Sequence, residues 1–107
     1  MIRFKFVRSG KITIGLECSG HAGYAQSGQD IVCAAVSSAA YLTANTITDS
    51  FNVKANAQVD DGYMLFTLLE ESDEAQKMLD GLEAHIRMLA QDYPRSIKVI
   101  YGGNTNA

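Results

Sequence analysis

Two pairs of alternating runs constrain the fold of this chain more than any other feature. The first pair occupies residues 2–8 and 12–18, which are joined by a tight turn at Ser9-Gly10. Apolar residues take every second position in each run, which is the period of a strand with one buried face. The predicted inward side chains are Ile2, Phe4, Phe6, Ile12, Ile14, Leu16 and Cys18. This arrangement predicts a β-hairpin.

A second pair repeats this pattern later in the chain. Residues 51–59 alternate, the letters DDG at 60–62 predict a turn, and a further strand is expected from about Tyr63 to Leu69. In the run before the turn, the predicted inward side chains are Phe51, Val53, Ala55, Ala57 and Val59. A short apolar run from Ile97 to Tyr101 fits a fifth strand.

Two helices are predicted between the strands. The second is capped by Ser72 and ends before Pro94, and its apolar residues follow the period of a helix that packs on a sheet. Its predicted stripe consists of Ala75, Met78, Leu79, Leu82, Ile86, Leu89 and Tyr93. The first helix, from about Ile31 to Ala44, is apolar nearly all round, and such a helix is normally covered on every side. In so short a chain, we expect a second subunit to supply part of that cover.

The order β-β-α-β-β-α-β predicts a single α+β domain over residues 1–107, with a mixed, largely antiparallel five-stranded sheet. The length suits one hydrophobic core. The strand order is left open.

The composition argues against several functional classes. A net charge of −3 gives no basic footprint for direct nucleic-acid binding. No apolar run reaches the roughly 18 to 20 residues of a membrane span, and the start MIRFKFVRSG lacks the apolar core of a secretory signal. We therefore expect a cytoplasmic protein without membrane contact, whose two cysteines are free thiols. No cofactor is expected, and a zinc site of His21, Cys18 and Cys33 lacks a fourth ligand.

Cys33 stands at the predicted start of the first helix. If Asp30 is the N-cap, Cys33 lies beside backbone N–H groups at the positive end of the helix dipole. Both effects favour the reactive thiolate. The carboxylate of Asp30 opposes it, unless that carboxylate is turned away to cap the helix. The sequence leaves this balance open.

His21 is a candidate base for this thiol. Gly20, Gly23 and Gly28 let the chain fold back, so that an imidazole twelve positions upstream of the sulfur reaches it. A histidine there takes the thiol proton and later protonates a leaving amine. N–H groups of the helix start are candidate donors to the oxyanion.

Each of these residues also has a purely structural interpretation. A cysteine in a small apolar helix is usually a buried small hydrophobe, and Cys18 is predicted to be one. His21 alone fits a loop histidine bound to a carbonyl, and Asp30 is most simply a cap. Ser37, one turn after Cys33, is placed to touch the sulfur, yet a serine in a close-packed helix needs no function.

The segment from Gly20 to Ser37, GHAGYAQSGQDIVCAAVS, resembles the defining motif of the ribosomal-processing cysteine proteases, a small bacterial family often called Prp. In that family a Gly-His-Ala turn precedes Gly-x-Asp-Ile-Val-Cys-Ala-Ala-Val-Ser across a loop. Gly28 and Asp30 are in register with this pattern. Outside the motif, the similarity is one of length and element order.

The resemblance implies a specific activity. Members remove a short N-terminal extension from a large-subunit ribosomal protein, and they form homodimers. The family's histidine corresponds to His21 and its nucleophile to Cys33. The motif does not fix a third catalytic residue, so Asp30, Ser37 and Gly20 are supporting candidates only.

Two other functions are kept as alternatives. The first is a non-catalytic ribosome-assembly or peptide-binding module, in which the loop that carries His21 binds a basic peptide without cleaving it. The second is a peroxide-sensing thiol, which forms a sulfenate and has no peptidase activity. The rate at which Cys33 is alkylated near neutral pH separates an activated nucleophile from an ordinary thiol.

Overall fold

The computed structural model describes residues 1–20 and 30–103, and this part of the chain forms five strands and two α-helices in two layers. In chain order the elements are β1 (Ile2–Ser9), β2 (Ile12–Ser19), α1 (Ile31–Asn45), a π-helical turn (Thr46–Ser50), β3 (Ala55–Asp60), β4 (Tyr63–Leu68), α2 (Asp73–Asp92) and β5 (Ile97–Gly103). The predicted α+β class with a mixed, largely antiparallel sheet is confirmed.

The sheet has the order β3-β4-β2-β1-β5, and only β1 and β5 run parallel among its paired strands. Since β2 lies beside β4, the end of β2 reaches the turn between β3 and β4. The backbone N–H of Gly20 donates a hydrogen bond to the carbonyl of Gly62 at 2.9 Å. This contact places Gly20, at the end of β2, next to the second hairpin.

Both helices pack on one face of the sheet and share one core with it. From the sheet, the core takes Ile2, Phe4, Phe6, Leu16, Met64, Phe66 and Ile97. From α2 it takes Ala75, Leu79, Leu82, Ile86 and Leu89, with Met78 and Tyr93 at its margin. The stripe predicted for the second helix is therefore confirmed.

A bulge in β2 changes the predicted inward face of the first hairpin. Val7 pairs with Gly15 but Arg8 pairs with Thr13, so Ile14 is an extra residue in the ladder. Thr13 is buried instead, and its N–H and carbonyl bond the side chain of Gln76 in α2 at 2.9 and 2.6 Å. The prediction of an unbroken inward face through Ile12 and Ile14 is wrong.

β3 is shorter and less buried than predicted. It is an edge strand of the sheet and begins only at Ala55, because α1 and the π-helical turn extend to Ser50. Val53 is buried, but Phe51, Ala57 and Val59 are exposed. Their predicted burial is wrong because the helices cover the centre of the sheet and leave this edge open.

The π-helical turn lengthens the first helix. The continuous helical stretch Ile31–Ser50 has 20 residues and a mean hydropathy of 1.3, so it is long and apolar enough to cross a membrane. The prediction that no apolar run reaches the length of a membrane span is wrong by this measure, because the helical stretch continues past Ala44 to Ser50. One such helix is weak evidence for a membrane, since core helices pass the same test. Here Val32, Val36 and Ala40 pack in the core.

Candidate active site

Asp30 caps α1 as the sequence predicts, and it thereby fixes the position of Cys33. Its Oδ1 accepts hydrogen bonds from the backbone N–H groups of Val32 at 3.0 Å and Cys33 at 3.1 Å. Capping of this kind satisfies amides that have no partner within the helix. Cys33 is therefore held in the first turn of α1, where the helix dipole is most positive.

The second oxygen of Asp30 faces the thiol. Sγ of Cys33 donates to Oδ2 of Asp30 at 3.2 Å. The carboxylate thus caps the helix and contacts the sulfur at the same time, an arrangement that the sequence left open. The helix start favours the thiolate and the adjacent carboxylate favours the thiol, so the two effects oppose each other at one atom.

The amides of the helix start are already bonded in this structure. Val32 and Cys33 donate to Oδ1 of Asp30, and Ala34 donates to the Asp30 carbonyl at 3.1 Å. In this structure, therefore, these N–H groups are not free to donate to an oxyanion as the sequence had suggested. The N–H groups of Val32 and Cys33 become oxyanion donors only if the Asp30 carboxylate moves away, whereas that of Ala34 stays in its helical bond.

His21 and Gly28 lie outside the described residues, whereas Gly20 lies within them. Gly20 has a φ of +96°, in the region that favours glycine. A Cβ at this position would overlap the carbonyl oxygen of Met1. Close packing and backbone conformation therefore both require glycine directly before His21.

Ser37 and Cys18 lie near Cys33. Ser37 is exposed on α1, one turn beyond Cys33, and lines a cavity that Cys18 also lines. Burial raises the pKa of Cys18 to about 11, and the charge of Cys33 contributes to the same shift. Cys18 is thus a partly buried thiol packed against the core, close to its predicted role.

Metal ligation has no visible basis in the described residues 1–20 and 30–103. No group of three or more His, Cys, Asp or Glu side chains in this part of the chain is arranged to hold a metal ion. The histidine of the rejected zinc site, His21, falls outside these ranges.

The sequence reasoning missed one neighbour of the site, the turn at residues 60–62. It was predicted as a turn, but its position beside Gly20 and α1 depends on the strand order. A one-dimensional pattern carries no signal for that order.

Asp30 variants separate the two roles of this carboxylate. Asp30→Asn keeps a good N-cap and removes the charge beside the sulfur, so alkylation of Cys33 by iodoacetamide at pH 7 should be about threefold to tenfold faster. Asp30→Ala should lower the free energy of unfolding by about 1 kcal/mol because the cap is lost.

Mass spectrometry of the digested protein measures the alkylation of each thiol separately. Cys18 is the slow internal reference, because its pKa of about 11 keeps it protonated at pH 7. An unchanged Cys33 rate in Asp30→Asn would show that the carboxylate does not control the thiol.

Comparison with known proteins decides the family. The family model of the cysteine protease Prp matches residues 1–98, which include both Gly20 and Cys33. The chain belongs to the cysteine protease Prp family. The resemblance first seen in one motif therefore extends over most of the chain.

Similar Prp proteins are known from two bacteria. Ribosomal processing cysteine protease Prp of Bacillus subtilis (strain 168) is 28% identical over 93 residues, covering 80% of this chain and 83% of that protein. The protein of the same name from Staphylococcus aureus (strain Mu50) is 26% identical over 95 residues, covering 86% and 89%.

A solved Prp structure has the same fold. The crystal structure of an essential ribosomal processing protease Prp from S. aureus, in complex with a covalently linked product peptide, gives a TM-score of 0.88. It is 24% identical, and the match covers 94% of this chain and 99% of that one. At this identity the likeness shows the fold.

Proposed function

We propose that this protein is a cysteine endopeptidase that removes the N-terminal extension of a large-subunit ribosomal protein in the cytoplasm. The observation that carries the proposal is the placement of Cys33, a half-exposed thiol in the first turn of α1, within a chain that belongs to the Prp family. Its curated relatives are named for ribosomal processing.

In the proposed reaction, His21 takes the proton of the Cys33 thiol, and the sulfur attacks the scissile carbonyl carbon. The tetrahedral intermediate collapses when His21 returns the proton to the amide nitrogen, which leaves as the new N-terminus of the ribosomal protein. The extension stays on the sulfur as a thioester. Water, deprotonated by His21, then releases the extension as a carboxylate and restores the thiol.

The contact between Asp30 and Cys33 gives this reaction a resting state. In that state the sulfur holds its proton against Oδ2 of Asp30, while the same carboxylate holds the helix amides. Arrival of a base beside the sulfur is the event that converts the thiol into a nucleophile. Asp30 is therefore a positioning residue in the proposal, and Ser37 has no assigned step.

Incubation with the extended ribosomal protein tests the proposed function. We expect the substrate mass to fall by the mass of the extension, with one new N-terminus. Cleavage should be blocked when the thiols are alkylated beforehand. An intact substrate after incubation with fully reduced enzyme would refute the proposal and favour a binding module.

We further propose a homodimer that covers one side of α1. Ile31 and Leu42 are 69% and 63% exposed and lie three turns apart on the same side of the helix, roughly opposite Cys33. Sedimentation velocity should show a dimer for the wild type and a monomer for Leu42→Arg. Met88→Arg, at a 47% exposed position of α2, is the matched control and should remain dimeric. A monomeric wild type contradicts this proposal.

A further inference from the structure

Three cations lie together on the sheet face that is turned away from the helices. β1 and β5 alternate, and their core residues face the helices, so that Arg3, Lys5 and Lys98 point to the opposite side. The parallel register pairs Arg3 directly with Lys98, and Lys5 follows Arg3 about 7 Å further along β1. Arg3 and Lys98 are exposed, and Lys5 is half-buried. These three residues form the cationic face.

The sheet gains no stability from this arrangement. Arg3 and Lys98 carry like charges at paired positions on strands about 4.8 Å apart, and such pairs repel each other. Within residues 1–20 and 30–103, no salt bridge involves Arg3, Lys5 or Lys98. A bound polyanion would offset the repulsion, which makes this pair an indication of a ligand.

Glu17, the acid on the neighbouring strand, is directed away from the cationic face. It pairs with Lys5 in the ladder, but its carboxylate accepts a hydrogen bond from the hydroxyl of Tyr63 in β4 at 2.7 Å. A Cβ on Gly102 in β5 would overlap Cε of Lys5 and lie 2.9 Å from its Nζ, so the Lys5 side chain lies over β5. Gly102 therefore leaves room for the ammonium group there. The charges of Glu17 and Lys5 are thus on opposite halves of the sheet.

Asp60, a second acid on this side of the sheet, lies at the opposite edge. It is in the same cross-strand row as Arg3, but three strands away, at about 14 Å. This distance exceeds the Debye length of about 8 Å at physiological ionic strength, so the Asp60 charge is largely screened at Arg3. The net charge of −3, from which no nucleic-acid contact was expected, averages over both halves of the sheet. The half formed by β1 and β5 is locally positive.

The cationic face matches the backbone of a nucleic acid better than the surface of an acidic protein. Its cations are about 5 to 7 Å apart without an acid between them, whereas soluble protein surfaces intersperse both signs. A nucleic-acid strand carries one phosphate per about 3.4 Å of its axis, so each cation meets a phosphate within a few nucleotides. An open sheet face is also a surface on which RNA strands bind. RNA is the nucleic acid that ribosomal proteins contact, which connects this face to the proposed substrate.

We propose that the cationic face binds the phosphate backbone of RNA and thereby holds the enzyme beside a ribosomal protein that is carried on RNA. The binding itself rests on Arg3, Lys5 and Lys98, whereas the role in substrate delivery rests on the proposed function. Arg3 pairs with Ser19, one residue before Gly20. The bound RNA therefore lies close to the end of β2 that precedes His21 in the chain.

The fluorescence anisotropy of a short fluorescein-labelled oligouridine tests the binding without any need for cleavage. The logarithm of the association constant should fall with the logarithm of the salt concentration with a slope of about −2, as expected for three phosphate contacts on a single strand. In Arg3→Gln/Lys98→Gln the slope should be about −0.7, and the affinity at about 20 mM salt should fall at least about tenfold. Both residues are exposed, so the midpoint of urea unfolding should not fall.

Lys54→Gln/Lys77→Gln is the matched control. Both lysines are exposed and lie outside the cationic face, so this variant has the same net charge with the face intact. It should bind oligouridine as the wild type does. An equal loss of affinity in the two double variants, or a wild type that does not bind at low salt, would overturn the inference. Equal displacement of oligouridine by polyglutamate at the same concentration of charge would also overturn it, because the face would then suit an acidic protein segment.

Cleavage of the extended ribosomal protein, free and bound to RNA, tests the role in substrate delivery. On the free protein, kcat/KM should be the same for the wild type and Arg3→Gln/Lys98→Gln. On the RNA-bound protein, the variant should be about tenfold slower than the wild type, in proportion to its loss of RNA affinity. Equal rates on the RNA-bound protein contradict the delivery role. If neither form of the substrate is cleaved, the proposed function fails, and the anisotropy still decides whether the cationic face binds RNA.

Discussion

Replacing Cys33 with alanine or serine is expected to reduce cleavage of the extended ribosomal protein by at least about a thousandfold. Alanine removes the attacking atom. Serine supplies a hydroxyl that is a much weaker nucleophile, because its proton is far less acidic than that of a thiol. The measurement is kcat/KM from the mass or gel mobility of the product over hours.

The same variants should remain folded, which makes the result interpretable. Cys33 is half-buried, and the bond from its thiol to Asp30 is a neutral-donor hydrogen bond, so its loss should cost about 1 kcal/mol of unfolding free energy. Ser38→Ala is the matched control, since Ser38 lies on the same helix but faces the groove against α2. It should retain wild-type cleavage. Comparable cleavage by Cys33→Ala and Ser38→Ala would show that Cys33 is not the nucleophile.

The parts of the fold that depend on neighbours in sequence were predictable. The buried stripe of α2 follows from side chains three and four positions apart, and Ser72 caps it through the bond that its hydroxyl accepts from Ala75. The same holds at the candidate site for Asp30, whose side chain bonds amides two and three residues away. Such contacts are encoded within one helical turn.

The parts that depend on distant pairing were not predictable. The bulge at Ile14 turns Thr13 inward, where it is bonded to Gln76, 63 positions away in the sequence. No local pattern predicts that contact. Val59 has the pattern of an inward strand residue, but it lies on an edge that no helix covers. The approach of residues 60–62 to Gly20 likewise follows from β4 lying beside β2, which one sequence does not reveal.

The second contact of Asp30 was unpredictable for a different reason. Sequence spacing shows that a cap is available, but it gives no rotamer, and the rotamer decides whether Oδ2 faces the sulfur at 3.2 Å. The reactivity of Cys33 therefore depends on a side-chain torsion angle. The alkylation rate of Asp30→Asn measures that dependence directly.

Gly20→Ala is expected to be the most damaging substitution outside the reacting groups. The positive φ of +96° costs a residue with a Cβ about 1 to 3 kcal/mol, and the new methyl group would also overlap the Met1 carbonyl. The chain must move at the residue directly before His21, so we expect cleavage to fall at least about tenfold, since small misplacements of catalytic groups have large effects.

Gly10→Ala is the matched control for backbone strain. Gly10 also has a positive φ, of +62°, but a Cβ there would meet no atom within 4 Å, and its turn lies at the opposite end of β2 from Gly20. It should cost about 1 kcal/mol and leave cleavage unchanged. Urea unfolding measures the stability of both variants, and kcat/KM measures their activity. If Gly20→Ala matches Gly10→Ala in both respects, the close packing of Gly20 against Met1 does not position His21, the proposed base. If Gly20→Ala loses more activity than its loss of stability explains, the backbone at residue 20 controls the position of His21.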